Sequence, residues 1–560
     1  MKKNRLFYRK NKLVPGCRIT SFLFAYSGRY FMRKTVLRLN LLRVGMSCFL
    51  LAVFASLMNI LLFPYARNLH SMTLPRLYIM YIVFFLILIF VSRFLKRTET
   101  PILERCAAWL IPAFSSVSFL LMLVCGFFLA HQPFCDNDFV LKGAIIISRY
   151  GKLSPELNDY IHKYLLHFPN QWGFVLLLSL LPLDTLTASL GSNSILYLLS
   201  GILAGLFAAS FMALLHTVRK HFGVRAELML AFCLAFFLPQ YPAGAVLYTD
   251  TFSMPFVILA LCCMLHIDEH TSRKQIILLC IGCGIFLLIG SLIKMTCLIL
   301  FLAAAIVWLL TLHPKRAIAC IMIPLLILSV GIKATNYHMT HHILESEDAS
   351  RYETPLLHWF MMGIPTEDNL YGSNTDDYDY TWLLMDQGAS HEEIMQSIYT
   401  RIDERMRTYK SIKDVVYAAI CKNANYIGDG TFGMWEMLDD LPLRENILSS
   451  IFLYYGQYYS LYADLCGGIW LAHLTLSVLL CLKHIRKHIF CLSIPMIAFL
   501  GLLIFEMLWE ARSRYMFNLA PLILLITACG MTQQEDSGFT GSIIDRFGSN
   551  AVASCHDETH

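Results

Sequence analysis

Apolar runs of bilayer-spanning length recur along the chain, at about residues 41–64, 75–95, 106–130, 193–215, 227–247, 252–268, 276–293, 296–312, 318–333, 463–483, 488–508 and 514–531. A hydrocarbon core of ~30 Å takes roughly 20 helical residues, and inside lipid a helix satisfies its own backbone. The pattern predicts an all-α polytopic membrane protein, a helical bundle of about 12–13 spans. The thirteenth candidate, "GFVLLLSLLPLDTLTASLG" (173–191), is interrupted by Pro182 and Asp184. It is read as re-entrant or interfacial rather than as a crossing.

Polar positions gather into a loop at 131–172 and a long segment at 334–461. In the loop, "SPELNDYIHKYLLHFPNQW" has helical spacing. Ser154 suits an N-cap, Pro155 the first turn, and Glu156 the positive end of the helix dipole. Leu157, Ile161, Tyr164, Leu165 and Phe168 form one apolar face, and Pro169 ends the helix. The favoured reading is a helix lying in the membrane surface, the alternative a helix packed on the polar segment. In the long segment, residues 408–430 read as a helix ending near Gly428 that covers a site.

Composition excludes a soluble globular protein, since 57% of residues are hydrophobic and only 15% charged. The basic first 40 residues carry no small-residue cleavage site after a short apolar core, so no cleavable signal is expected. Most of the 18 cysteines lie within apolar runs, as small buried hydrophobes do. "CIGC" (280–283) lacks the second pair that a metal site needs. Outside the apolar runs only Cys17, Cys135, Cys421 and Cys555 remain, with a Cys135–Cys421 bridge open if the two share a side.

Charge supplies an orientation. The N-terminal "MKKNRLFYRKNK" and "RKTVLR" place that end in the cytoplasm. With 173–191 not crossing, "HTVRKHFGVR", "SRK", "HPKR" and "LKHIRKH" all join it there. The segment 334–461 then falls outside, with 20 acidic against 8 basic residues, while the rest of the chain has 37 basic and 19 acidic. The formal net charge of +6 hides this asymmetry, and the basic residues are scattered over short loops beside lipid. No nucleic-acid partner is expected, whereas membrane lipids are.

On this topology ionisable groups collect at outer helix ends. They are Asp136 and Asp138 in "FCDNDF", Tyr248 and Asp250 in "YTD", Lys294 in "GSLIKMT", and Glu510, Arg512, Arg514 and Tyr515 in "WEARSRYMFNLAP". Each alone could be an interface anchor, as could Glu506, deeper in its span, as the partner of a base. Together they suit a phosphate leaving group held by Arg and Lys, and an acceptor hydroxyl deprotonated by a carboxylate. A divalent cation, Mg or Mn, is open at Asp136, Asp138 and Asp250. "NYHMTHHILE" (336–345) puts His338, His341 or His342, and Glu345 on one helical face without an HExxH pattern, and reads as a solvated helix entry. "NTDDYDY" (374–380) lacks EF-hand spacing and reads as an acidic loop.

The order of these motifs resembles the GT-C membrane glycosyltransferases. An apolar helix precedes an acidic motif, then a surface helix ends in "FPNQWGF", and "YTD" follows at a later helix end. The nearest branch is that of bacterial protein O-mannosyltransferases and aminoarabinose transferases. "PLLHWFMMGI", "DGTFGMW" and "ARSRYMFNLAP" are similar to a version common in Gram-positive bacteria, and the resemblance covers roughly residues 106 to 530. It implies an extracytoplasmic active site in the plasma membrane, a polyprenyl-phosphate sugar donor, inversion at the anomeric carbon, and a cell-surface glycan or protein acceptor. Asp136 would be the catalytic base with Asp138 the contender. Asp250 and Tyr248 would serve acceptor or metal, and Lys294, Arg512 and Arg514 the lipid phosphate. Asn137 stands where many relatives have Glu. The implied organisation is a cytoplasmic N-terminus (1–40), two extra spans (41–105), a membrane catalytic module (106–333), an extracytoplasmic segment (334–461), C-terminal spans (462–531) and a cytoplasmic tail (532–560). The alternatives are a transporter or flippase of lipid-linked sugars, a surface-polysaccharide polymerase or ligase, and an assembly protein.

Overall fold

The computed structural model describes residues 16–63, 74–191, 193–346, 352–438, 445–487 and 492–532. The basic residues 1–12 and nearly all of the polar tail lie outside the described residues. Those that are described form helices and connecting loops with no strand. Eight helices are long and apolar enough to cross a membrane, one bent pair (Val224–Ala235 with Leu238–Ala245) makes a ninth, and three apolar helices are shorter. Together these match the twelve apolar runs. The difference from the expected count is one of length, because four runs are broken or short.

Helices α1 (Gly16–Leu62), α2 (Leu74–Arg97) and α3 (Thr100–Phe128) come first. Then α4 (Asp136–Tyr150) and α5 (Pro155–His167) form the polar loop, followed by α6 (Trp172–Ser179) and α7 (Leu183–Leu190). The last two have eight residues each and are split at Leu180–Pro182, where proline removes a donor and blocks the preceding turn. The run 173–191 therefore does not cross. Gln132, after α3, donates to Asn193 at the start of α8 (Asn193–Phe222) at 3.2 Å, so the chain enters and leaves this region on one face.

The remaining helices alternate between that face and a basic one. At the basic end Arg219 pairs with Glu104 and Glu227, Arg225 donates to the carbonyls of Leu95 and Thr98, and Arg316 pairs with Glu269. The first residues of α10 (Thr249–Leu265) and the last of α11 (Arg273–Ile293) lie at the other end. After α12 (Leu298–Thr311), α13 (Pro314–His338) returns there, where the carbonyl of Ile343 accepts from the Leu153 N–H.

The polar segment is helical too, with α14 (Leu356–Met362), α15 (Asp376–Asp386), α16 (His391–Thr408) and α17 (Ile412–Gly428). Asp377, from the expected acidic loop, is fully buried in α15. It takes a bidentate pair from Arg405 at 2.6 and 2.7 Å and a third contact from Arg401 at 2.8 Å. A buried carboxylate persists when paired in this way. The chain ends in α18 (Met434–Met437), α19 (Ile447–Phe452), α20 (Tyr459–Lys487), α21 (Ser493–Leu508) and α22 (Ala520–Thr532).

Three local expectations change. Apart from the exposed Leu157, the apolar face of α5 is covered by protein: Tyr164 stacks on Phe139 at 4.3 Å, and Phe168 on Tyr378 at 5.3 Å. The helix is packed on the polar segment instead of lying in the membrane surface. Ser154 makes no capping bond; Asn158 leaves helical geometry, and its Oδ1 accepts from the Ile161 N–H at 3.0 Å to cap the longer part. Cys135 is exposed, Cys421 is buried, and both are free thiols, so no bridge joins them.

Candidate functional site

Cys135, at φ +50°, turns the chain sharply into α4 and sets Asp136 at its first position. The N-terminal end of a helix dipole favours a carboxylate there. Asp136 Oδ1 accepts from the Tyr164 hydroxyl at 2.9 Å and Oδ2 from the Tyr248 hydroxyl at 2.8 Å. Both tyrosines are buried, while Asp136 itself is half-buried. Burial, and then the Asp136 charge, push the Tyr164 hydroxyl well above its usual range, so it remains a donor.

Tyr248 joins this carboxylate to a buried charge cluster. It is the N-cap of α10, which sets Asp250 in the first turn with 1% exposure. The Arg514 guanidinium lies 4.9 Å above the Tyr248 ring and its Nε is 3.9 Å from Asp250. Lys294 Nζ is 2.6 Å from Asp250 and 3.8 Å above the Tyr515 ring. Lys294 reaches this point because α11 stops at Ile293 and the chain passes into a 3₁₀ turn, Met295–Cys297, before α12.

Arg512 belongs to a second layer. Its Nε donates to Glu510 at 2.9 Å and its Nη1 pairs with Glu436, while Tyr515 donates to Glu510 at 2.7 Å. Burial alone would raise the Glu510 carboxyl; Arg512, Arg514 and the Tyr515 hydroxyl outweigh it and hold that carboxyl below its usual range. "DGTFGMW" forms the wall beside Arg514. Asp429 accepts from the backbone N–H of Thr431 and Gly433, each at 2.9 Å, and from Ser513 at 2.9 Å. Gly433 has φ +67°, and a Cβ there would stand 3.0 Å from the Arg514 Cβ.

A third set of contacts ties the polar segment to this wall. Lys422 of α17 donates to the carbonyls of Gly363 and Trp509 at 2.6 and 2.7 Å. The N–H groups of Glu510 and Ala511 donate to the carbonyls of Trp359 and Gly372. Burial lowers the Lys422 ammonium to about 8, against the opposing charges of Glu506 and Glu510. The helix read at 408–430, ending near Gly428, is α17.

Six expected residues, Asp136, Tyr248, Asp250, Lys294, Arg512 and Arg514, thus form one chain of contacts. Asp138 stands apart, paired with Lys142 one turn on at 2.6 Å on the α4 surface. Asp136, Asp138 and Asp250 do not converge: among the described residues, no three His, Cys, Asp or Glu side chains are placed to hold a metal ion. The histidines 338, 341 and 342 share a helical turn, but Glu345 pairs with Lys152 instead of joining them. Reading the sequence missed Glu436, a single acid behind "DGTFGMW". It also took Tyr164 for part of an apolar stripe, and nothing in a stripe marks which hydroxyl meets a carboxylate.

A small recess of about 20 Å³ lies next to Asn137, lined by His131, Asn137, Leu141, Phe174, Leu247 and Phe252 among others. Against known families, one match covers residues 40–535, to CHIM_prot, described as a conserved hypothetical integral membrane protein. No curated protein and no solved structure matches the chain.

Proposed function

The chain belongs to the CHIM_prot family of integral membrane proteins, and on that premise we propose that it is a glycosyltransferase of the plasma membrane. It takes a sugar from a polyprenyl-phosphate donor and passes it, with inversion, to a cell-surface acceptor at the extracytoplasmic face. The observation that carries this reading is the double use of Tyr248. Its hydroxyl orients the Asp136 carboxylate, and its ring face carries the Arg514 guanidinium. A base and a phosphate-binding cation are thereby held on one side chain. The positive-inside distribution of the short loops supports the assignment of the face.

In the proposed step the acceptor O–H gives its proton to Asp136. Its oxygen bonds to the anomeric carbon, whose bond to the phosphate oxygen breaks. The leaving phosphate gains negative charge. Lys294 and Arg514, which both face the Asp250 carboxylate, are the cations given to the phosphate. Arg512, flanked by Glu510 and Glu436, positions the loop that carries Arg514 and is not given to the phosphate.

The test is transfer from a polyprenyl-phosphate sugar in membranes holding equal amounts of each variant. Asp136→Asn should lose at least a hundredfold of the rate, and Asp138→Asn should keep most of it. Normal transfer by Asp136→Asn would remove the carboxylate from the chemistry and the reading with it.

A further inference from the structure

Above Asp136 the rings of α4, α5 and α15 continue as a ladder out to the surface. Tyr164, which donates to Asp136, stacks on Phe139; Phe139 meets Tyr160 edge-on at 5.1 Å; Tyr160 faces Trp382 at 6.0 Å. Tyr164 and Phe168 are core. Tyr160 is not, with 60% of its surface exposed, and Phe139 and Trp382 are half-buried. Among the described residues Tyr160 meets Phe139 and Trp382 and leaves the rest of its ring exposed. Carboxylates lie on the same helices as the rings. Asp386 accepts from the Trp382 indole N–H at 2.9 Å, Asp159 pairs with Lys163 at 3.1 Å beside Tyr160, and Asp379 is exposed on α15.

We propose that these rings are the acceptor subsite and that the acceptor is an uncharged glycan. This rests on the transferase reading above and names the acceptor class it left open. A pyranose ring has one face of C–H groups that lies against an aromatic face, and equatorial hydroxyls that donate to carboxylates at its edge. Rings give area at low entropic cost, having two side-chain torsions each. The charge of the segment decides among polymers. With 20 acidic and 8 basic residues in 334–461, a phosphate- or carboxylate-bearing polymer is repelled from this face and a neutral one is not.

Binding is to be measured by saturation-transfer NMR and titration calorimetry on the full chain in nanodiscs. The probes are cellotetraose, chitotetraose and mannotetraose. At least one should bind saturably in the millimolar range or tighter. Tyr160→Ala and Trp382→Ala should each weaken it about tenfold, and Tyr160→Phe should retain it. Tyr160 is exposed, so its variant tests the surface even if Trp382→Ala folds poorly. No saturable binding by any of the three, binding unmoved by Tyr160→Ala, or tighter binding of polyglycerol phosphate or of a lysine-rich peptide would overturn the proposal. Asp136→Asn separates the two readings. Binding intact with transfer lost supports both. Sugar binding in a protein whose transfer survives Asp136→Asn retains the subsite and discards the base.

Discussion

Asp250 is the residue whose environment is most exacting. It is enclosed with Lys294 at 2.6 Å and Arg514 at 3.9 Å. Removing one partner of a buried pair leaves the other charge uncompensated, at a cost of about 3–5 kcal/mol. Asp250→Asn should therefore lower thermal stability by about that much, and so should Lys294→Met. The double variant should recover most of the loss, and additive losses in such a cycle would show that the two do not interact. Tyr164→Phe and Tyr248→Phe each remove one donor to Asp136 and leave the ring; each should reduce transfer about tenfold with little change in stability. A rate equal to wild type in both would mean that the hydroxyls do not orient the base. At this scale the sequence exposed the charged residues because apolar helices make any ionisable group conspicuous. It could not rank them. Asp136 and Asp138 are two positions apart, and only the fold shows one facing Tyr164 and Tyr248 and the other facing Lys142.

At the scale of elements, glycine contacts show where segments close on each other. A Cβ on Gly363 would stand 2.3 Å from the Trp509 carbonyl oxygen, and the Gly363 carbonyl accepts from Lys422. Gly363→Ala forces α14 away from the 509–512 loop. It should cost about 1–3 kcal/mol, and transfer should fall with it because Glu510 and Arg512 move. An alanine variant with unchanged melting and rate would show that the loop has slack there. Helix existence was legible from apolar length, and so was the break of 173–191, since Pro182 stands in the run. The burial of α5 was not. A helix with one apolar stripe fits a lipid surface and a protein surface equally, and only the rings of Phe139, Tyr378 and Trp382 decide between them.

For the whole molecule, two buried histidines, His167 of α5 against Trp382 and His358 within the polar segment against Thr381, make the stability of that segment depend on pH. Burial lowers His167 and His358 to about 4 each, although Asp386 and Asp377 respectively pull the other way. An unfolded imidazole takes up its proton near pH 6.5. Between about 4 and 6.5 the unfolded chain thus binds more protons. Stability is complete above that window and declines as the pH falls through it, by about 3 kcal/mol per histidine at most. Limited proteolysis of 352–438 at pH 7.5 and pH 4.5 should show faster cleavage at the lower value, and replacing both histidines with glutamine should flatten the difference. Equal rates in the wild type would show that the segment's stability does not turn on these histidines. That basic loops share one end of the bundle could be read from charge alone. The assembly of the site could not, because its residues come from α4, α10, the end of α11 and the 510–515 loop, separated by long stretches of chain.

That separation has a consequence for biosynthesis. The carbonyls of Trp359, Gly363 and Gly372 have their donors or neighbours at 509–511 and Lys422. A nascent chain that has emerged only as far as α20 carries the polar segment complete in sequence but without the strip of backbone that locks it. The segment's contacts with Trp509, Glu510 and Ala511 form only once α21 and residues 509–512 have followed. The groups around Asp250 therefore stay apart until residues 509–515 have been made.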